Sequence, residues 1–314
     1  MALYEVLSTY SCPVRSQSIY GVEPMSLTKR EKLIGLLSIL PIFLFLSVFF
    51  YYPTLNTFFH SFTKWDGLNE TWIGLKNYRD IFSSGDVWLL LRNNMIFVLA
   101  YPGIFLFCMI VTVLLHEQVA GWRFFRSVFY IPTILSTVVV GFLMKVMFSY
   151  DGTVNQWLRM FKLDFLATTW FDQTVTAFIV LIFCYYWQTL GQGVLILLAG
   201  MSSIPEEMYD ASKIDGANWW QRLFQITLPS LVQPIFYFTF INVTWAFIGL
   251  FPLIYSVTGG GPGYSTTPID FMIYIKGFMQ NGEMGYASAL SVILFILVMI
   301  VSWIQFRVSE RLSE

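Results

Sequence analysis

Ser202 to Ser230 reads S-S-I-P-E-E-M-Y-D-A-S-K-I-D-G-A-N-W-W-Q-R-L-F-Q-I-T-L-P-S, a polar island between two long apolar runs. A chain that keeps a charged, helix-forming segment between two membrane spans uses it to touch something in the water. Ser203 followed three positions later by Glu206 is a capping-box pattern. Pro205 suits a first helical turn, and Glu206 and Glu207 place negative charge at the positive end of the helix dipole. A helix is predicted through Met208, Tyr209, Ala211 and Ile214, whose spacing sets an apolar stripe on one face. It stops at Gly216, which tolerates the left-handed geometry of a helix end. A second short helix fits Ala217 to Gln225, Pro229 closes the unit and Leu231 opens the next apolar run. The product is a helix–turn–helix bracket with Asp210, Lys213, Asp215 and Arg222 arranged around it.

The rest of the chain is built for a bilayer. Of its 314 residues 56% are hydrophobic, 19% aromatic and only 12% charged, with a net charge of −1. The mean hydropathy is +0.64. That leaves too little polar surface to cover a soluble globule. A membrane core needs roughly 20 apolar residues per helix. Runs over 33–53, 94–115, 127–148, 174–200, 231–256 and 287–306 meet that length, hold no Asp or Glu, and carry Lys145 as their one charge. The expectation is an all-α membrane protein of six transmembrane helices, with the bracket on the cytoplasmic side between the fourth and fifth. Its parts are an N-terminal tail (1–32), a membrane-span domain (33–306, bracket at 202–230) and a C-terminal tail (307–314).

Basic residues near the spans set the orientation. Arg15, Lys29, Arg30 and Lys32 precede the first run, Arg123 and Arg126 lie between the second and third, and Arg307 and Arg311 come after the sixth. Both termini are therefore expected in the cytoplasm of a cell-membrane protein. Lys64, Lys76, Arg79, Arg159, Lys162 and Lys276 fall on the other side, spread over longer segments. The first run is too long for a signal-peptide core, and Tyr51-Tyr52-Pro53 offers no small-residue cleavage site, so it reads as an uncleaved anchor. Residues 1–24, with their scatter of Ser and Tyr, are unlike the rest of the chain and read as a flexible tail or an over-long start ahead of Met25.

Covalent chemistry is not visible. Cys12, Cys108 and Cys184 have no disulfide or metal spacing, and His60 and His116 fall on opposite sides of the membrane, so no metal site is expected. Asn69-Glu70-Thr71 is a glycosylation triplet of the kind that arises by chance. No phosphate-binding loop, nucleophile elbow or paired-His helix occurs, so no ATPase or other enzyme activity is expected of this chain.

One spacing is specific. Asp210-Ala211-Ser212, three residues, Gly216, nine residues, then Ile226-Thr227-Leu228-Pro229 resembles the EAA motif of ABC importer permeases, E-A-A-x3-G-x9-I-x-L-P, at every position. Asp210 stands for Glu and Ser212 for the second Ala, changes that keep the charge and the small size. Gly74-Leu75-Lys76-Asn77-Tyr78, Arg123-Phe124-Phe125-Arg126 and Thr258-Gly259-Gly260-Gly261-Pro262 resemble the carbohydrate-uptake branch, with its maltose, lactose and glycerol-phosphate permeases. The likeness spans roughly residues 28–308.

The resemblance implies a division of labour. Two permeases form the pathway, two ATPase subunits dock beneath them carrying the ATP and Mg, and an extracytoplasmic binding protein delivers the solute. This chain would bind no cofactor and no nucleic acid. Glu207, Asp210, Ala211, Ser212, Asp215 and Gly216 would form the ATPase-coupling site, although Asp215 is equally a turn residue. Gly259, Gly260 and Gly261 read either as a connector or as a landing surface for the binding protein. The sugar branch usually pairs two different permeases, which favours a heterodimer.

Neutral solutes are held by aromatic faces and by hydroxyl and amide groups. Tyr186, Trp187, Gln188 and Gln192 on the fourth run, Asn242, Thr244 and Trp245 on the fifth, and Ser288 and Ser291 on the sixth are the candidates for a pathway wall. Each reads equally as glue between helices. The lack of carboxylates in the runs favours an uncharged solute and counts strongly against a proton-coupled and less strongly against a sodium-coupled secondary transporter, the chief rival class. A membrane scaffold would leave the EAA spacing as coincidence.

Overall fold

The apolar runs form helices, but two of them are sharply broken. The computed structural model describes residues 29–280 and 282–313, with side chains over 33–280 and 282–311. The expectations for residues 1–28, including Cys12, Arg15 and the start at residues 1–24, lie outside the described residues, whereas 29–32, expected as the end of the tail, open the first helix. The chain divides into two units, Met1–Thr54 and Leu55–Glu314. Helix α1 (Lys29–Leu46) passes through a wider turn at Ser47–Tyr51 into α2 (Tyr52–His60).

Beyond α2, strands β1 (Thr63–Trp65) and β2 (Glu70–Trp72) form a small hairpin, which corrects the all-α expectation. Asp66 closes its turn by accepting from the backbone N–H groups of Leu68 (2.8 Å) and Asn69 (2.6 Å). These bonds hold its carboxyl below the usual carboxylate range. Helix α3 (Lys76–Ser83) comes next. Asn77 donates to the carbonyls of Ser61 and Thr63, both at 2.9 Å, and the Tyr78 hydroxyl donates to Ser61 Oγ at 2.7 Å. The Gly74 to Tyr78 sequence thus clamps the hairpin. An apolar-polar mixture this short gives no usable period, which is why the hairpin was not expected.

The remaining helices are α4 (Asp86–His116), α5 (Trp122–Ile134), α6 (Thr137–Met147), α7 (Thr153–Met160), α8 (Thr174–Ser202), α9 (Glu206–Ile214), α10 (Trp219–Arg222), α11 (Leu228–Ser230), α12 (Val232–Ile248), α13 (Phe251–Val257), α14 (Ile269–Tyr274) and α15 (Met284–Ser313). Among the described residues four helices are long and apolar enough to cross a membrane: Leu33–His60, Asp86–His116, Thr174–Ser202 and Met284–Arg311. The count reaches six if each of two bent pairs is one span.

The sharper bend has a local cause. The third run, expected straight over 127–148, turns by 99° between α5 and α6. Leu135 and Ser136 leave the helical region there, with ψ of 143° and 133°. Pro132 just upstream removes a helix N–H. The Gln188 amide repairs the break, donating to Leu135 O and Thr137 Oγ1, both at 3.1 Å. The fifth run, expected over 231–256, bends by 65° against the Trp219–Ser230 segment. It then ends at Gly249. A separate helix, α13, restarts with Pro252 in its first turn and with the Phe251 N–H donated to Asp270 Oδ2 at 2.8 Å.

Helix α8 is the central post. Its Gly191 lies against the backbone of α5, where an added Cβ would sit 2.5 Å from Phe129 O. Gly193 and Gly200 admit Phe238 and Pro234 in the same way. Small residues allow this close approach where lipid removes the hydrophobic drive between helices. Phe97, Ile104 and Cys108 of α4 and Leu181, Val194 and Leu197 of α8 fill the shared core.

Candidate functional site

Two helical stretches form within 202–230, with their caps unlike those expected. Helix α9 starts at Glu206 behind Pro205, and no side chain caps it. Ser203 Oγ instead donates back to Gly200 O at 2.7 Å, so the expected capping box at Ser203 and Glu206 is absent. A capping box does occur one helix later. Asn218 accepts from Gln221 N at 2.9 Å while Gln221 accepts from Asn218 N at 2.7 Å. The second helix is correspondingly longer than expected, running from α10 through a wider turn at Leu223–Thr227 into α11, which contains Pro229.

The stop at Gly216 is as expected. Its φ is +80°, and it donates to Lys213 O at 3.1 Å while Ala217 donates to Ser212 O at 2.9 Å. That pair of bonds is a Schellman ending, and the positive φ is what calls for glycine.

Helix α9 has two unlike faces. On the inner one, Ser212 is buried, and the Tyr209 hydroxyl lies 3.0 Å from Thr227 Oγ1, with its ring beside His116. The Trp219 indole donates to Glu117 Oε1 at 3.4 Å, tying α10 to the end of α4. A cavity of about 340 Å³ lies behind α9, lined in part by His116, Glu117, Tyr209, Asp210 and Arg222. The outer face carries Glu207, Met208, Ala211, Asp215 and Ile214, the last 86% exposed, and Asp210 is exposed at the edge between this face and the cavity. The expected apolar stripe therefore splits: Tyr209 turns inward, while Met208, Ala211 and Ile214 face out. Asp210 holds Lys213 at 2.9 Å, an exposed pair worth little to stability.

The pathway candidates separate by what they already touch. The Tyr186 hydroxyl donates to Ala100 O (2.6 Å), and Gln188 holds the α5/α6 break. Asn242 donates to Phe238 O (2.8 Å) and accepts from the Tyr185 hydroxyl (2.9 Å). Trp245 stacks on Tyr185 at 5.1 Å. Ser288 and Ser291 bond within their own helix. Thr244 Oγ1 is buried without a partner. Trp187 and Gln192 are half-buried, with polar groups that make no hydrogen bond among the described residues.

The glycine-rich stretch is a built structure rather than a loose connector. Asn93 on α4 donates to Thr267 O (2.8 Å) and Tyr264 O (3.4 Å). Asn94 donates to Ala246 O (2.7 Å) and accepts from Ile269 N (3.1 Å). Thr266 and Thr267 bond to the carbonyls of Gly261 and Gly260. Gly260 is buried under Thr267, whereas Gly259 and Gly263 face open space at positive φ. Asp270 lies in this knot, accepting from Phe251 N and Phe271 N, and burial pushes its carboxyl up to about 6. Asn93, Asn94 and Asp270 were missed from the sequence. The one available signal was an amide pair at the head of an apolar run.

The fold is that of an ABC importer permease. It superimposes on a chain of a bacterial ABC transporter that imports the acidic polysaccharide alginate, with a TM-score of 0.79 at 21% identity over 91% of this chain and 98% of that one. Residues 89–314 match the family described as binding-protein-dependent transport system inner membrane component. The chain is 34% identical over 268 residues to the multiple sugar-binding transport system permease protein MsmF of Streptococcus mutans, covering 84% of this chain and 91% of that one. It is 28% identical to the trehalose/maltose transport system permease protein MalF of Thermococcus litoralis, covering 90% and 95%. The chain belongs to this family of inner-membrane transport components and is a multi-pass membrane protein.

Proposed function

We propose that this chain forms half of the pathway of an ATP-driven importer for a sugar or sugar-like solute and is driven by a separate ATPase through the 202–230 bracket. The observation that carries this reading is the two-faced α9. Its inner face is fastened to α4 and the α10–α11 arm, and its outer face leaves Glu207, Asp210, Ala211 and Ile214 exposed at the EAA spacing, ended by the Gly216 turn. Closure of an ATPase dimer on ATP would move this face, and with it α4 and the fifth run, as near-rigid bodies.

In this account each bent pair is one span, giving six, and both termini and the bracket are cytoplasmic. ATP and Mg sit on two ATPase subunits and none on this chain. The second permease is a different polypeptide. An extracytoplasmic binding protein lands on the exposed rim at Gly259 and Gly263, held rigid by the Asn93 and Asn94 bonds. Trp187 and Gln192 are the pathway residues with polar groups to spare for a neutral solute; Tyr186, Gln188 and Asn242 support the wall.

The test is uptake of the solute by cells carrying Gly216→Pro. Proline cannot adopt the φ of +80° found there. Uptake should fall at least tenfold while the chain still reaches the membrane. Uptake at the wild-type rate by an inserted Gly216→Pro chain contradicts the coupling role.

A further inference from the structure

We propose that the chain carries a site for an anionic phospholipid beside the bracket, where the ends of α4 and α8 meet the start of α5. A cavity of about 440 Å³ lies there. Helix α5 is pressed onto α8 at Gly191, but nearer its start the two helices leave this opening. Leu115, Leu195 and Leu198 form one wall, and Gln118, Trp122 and Arg126 stand at the mouth.

Three observations select the ligand. No carboxylate lines the cavity, and Arg126 forms no ion pair or hydrogen bond among the described residues, so a cation at the mouth has no protein partner. Arg123 lies close to it in sequence, with its guanidinium 5.4 Å from the Trp122 ring. The α4 and α8 carboxyl ends each contribute about half a negative charge and Glu117, turned to the neighbouring cavity and Trp219, one more; Arg126, Arg123 three residues before it and the amino end of α5 offset them, and of the charged side chains only that of Arg126 lines this cavity. The leucine wall is of no use to a free phosphate, and the arginine is of no use to a bare acyl chain. A molecule with both parts, a phospholipid with a net negative headgroup, uses the whole cavity. A zwitterionic lipid would bring an ammonium group to a mouth that has no carboxylate to meet it.

The location gives the site a consequence. His116 borders both this cavity and the one behind α9, and Ser202 at its edge is the first residue of the bracket segment. A bound lipid therefore braces the end of α4 on which Tyr209 and Trp219 rest. This placement in the cytoplasmic leaflet rests on the proposed orientation.

The test is native mass spectrometry of the full chain in mild detergent, titrated with dioleoyl-phosphatidylglycerol or dioleoyl-phosphatidylcholine. Wild type should retain the anionic lipid over the zwitterionic one. Arg126→Gln should lower that retention roughly fivefold, the factor for one basic residue near an anionic surface. Leu198→Trp, which fills the wall, should reduce both lipids in a preparation that stays monodisperse on gel filtration. Inorganic phosphate added as competitor should displace nothing. Equal retention of the two lipids, indifference to Arg126→Gln, or displacement by phosphate would each overturn the proposal. Co-purification of an ATPase, measured on the same samples, reports on the importer reading separately and should survive Arg126→Gln.

Discussion

The two segments richest in turn residues, 202–230 and 258–270, are built in opposite ways. The first is fastened along one side only. Tyr209 beside His116 and Trp219 on Glu117 hold it to the end of α4, and a row of charged and apolar side chains is left facing out. The second is fastened nearly throughout, by Asn93 and Asn94 from α4, by Thr266 and Thr267 from within and by Asp270, so that only Gly259 and the short tip at Pro262, Gly263 and Tyr264 are left exposed. A segment that must follow a moving partner keeps a side-chain face for it. A segment that must keep its shape puts its polar groups into buried hydrogen bonds, which are costly to break.

The contrast can be broken most forcefully at Asn94. Asn94→Leu leaves the Ile269 N–H and the Ala246 carbonyl without their partner, at a cost of about 2–4 kcal/mol. The glycine-rich stretch should become protease-sensitive and thermal unfolding should move down, whereas Ile214→Ser on the exposed bracket face should leave both unchanged. Equal effects of the two substitutions would erase the distinction.

Asp270 gives the next largest effect. Burial raises its carboxyl from 3.8 to about 6, so the folded chain keeps the proton where the unfolded chain has released it. The stability it contributes is fully present below about pH 4 and is lost as pH rises through about 6, a span worth up to roughly 3 kcal/mol. The unfolding-temperature difference between wild type and Asp270→Asn should therefore move in favour of wild type on going from pH 7 to pH 4. A difference that does not change with pH removes Asp270 from the knot.

The smallest effect sharpens the contrast within one segment. Gly260→Ala drives a methyl into Thr267 at a φ of +89°, whereas Gly259→Ala meets open space at +64°. The first should cost about 1–2 kcal/mol more than the second, because both share the left-handed penalty and only one adds a clash. Thermal unfolding of the pair checks it.

The bracket was legible in the sequence because its signals are local. The acidic first turn, the glycine stop and the fixed distance to Leu228-Pro229 all lie within one short stretch. Even there the expected Ser203 cap does not form, because Ser203 Oγ turns back to Gly200 O, a contact that the spacing does not show. The breaks at Leu135 and Gly249 were not legible, because apolar content reads the same in a straight and a bent run, and the group that mends the first break, Gln188, lies 53 residues from Leu135. The knot was hidden for the same reason, with Asn93 and Thr267 separated by 174 residues. Gly259 to Gly261 read equally as a connector or as a landing surface, and nothing in the sequence showed the bonds that build them into a knot.

The most direct test of the central claim is purification of the tagged chain from its native membrane in mild detergent, with mass spectrometry of the proteins that stay bound, for wild type and for Asp210→Lys. The account predicts an ATPase and a second permease with wild type, and loss of the ATPase alone from the variant, because the reversed charge sits exposed at the edge of the outward face of α9. A chain that comes out alone, or a variant that keeps its ATPase in full, would contradict the claim that this face is the docking surface.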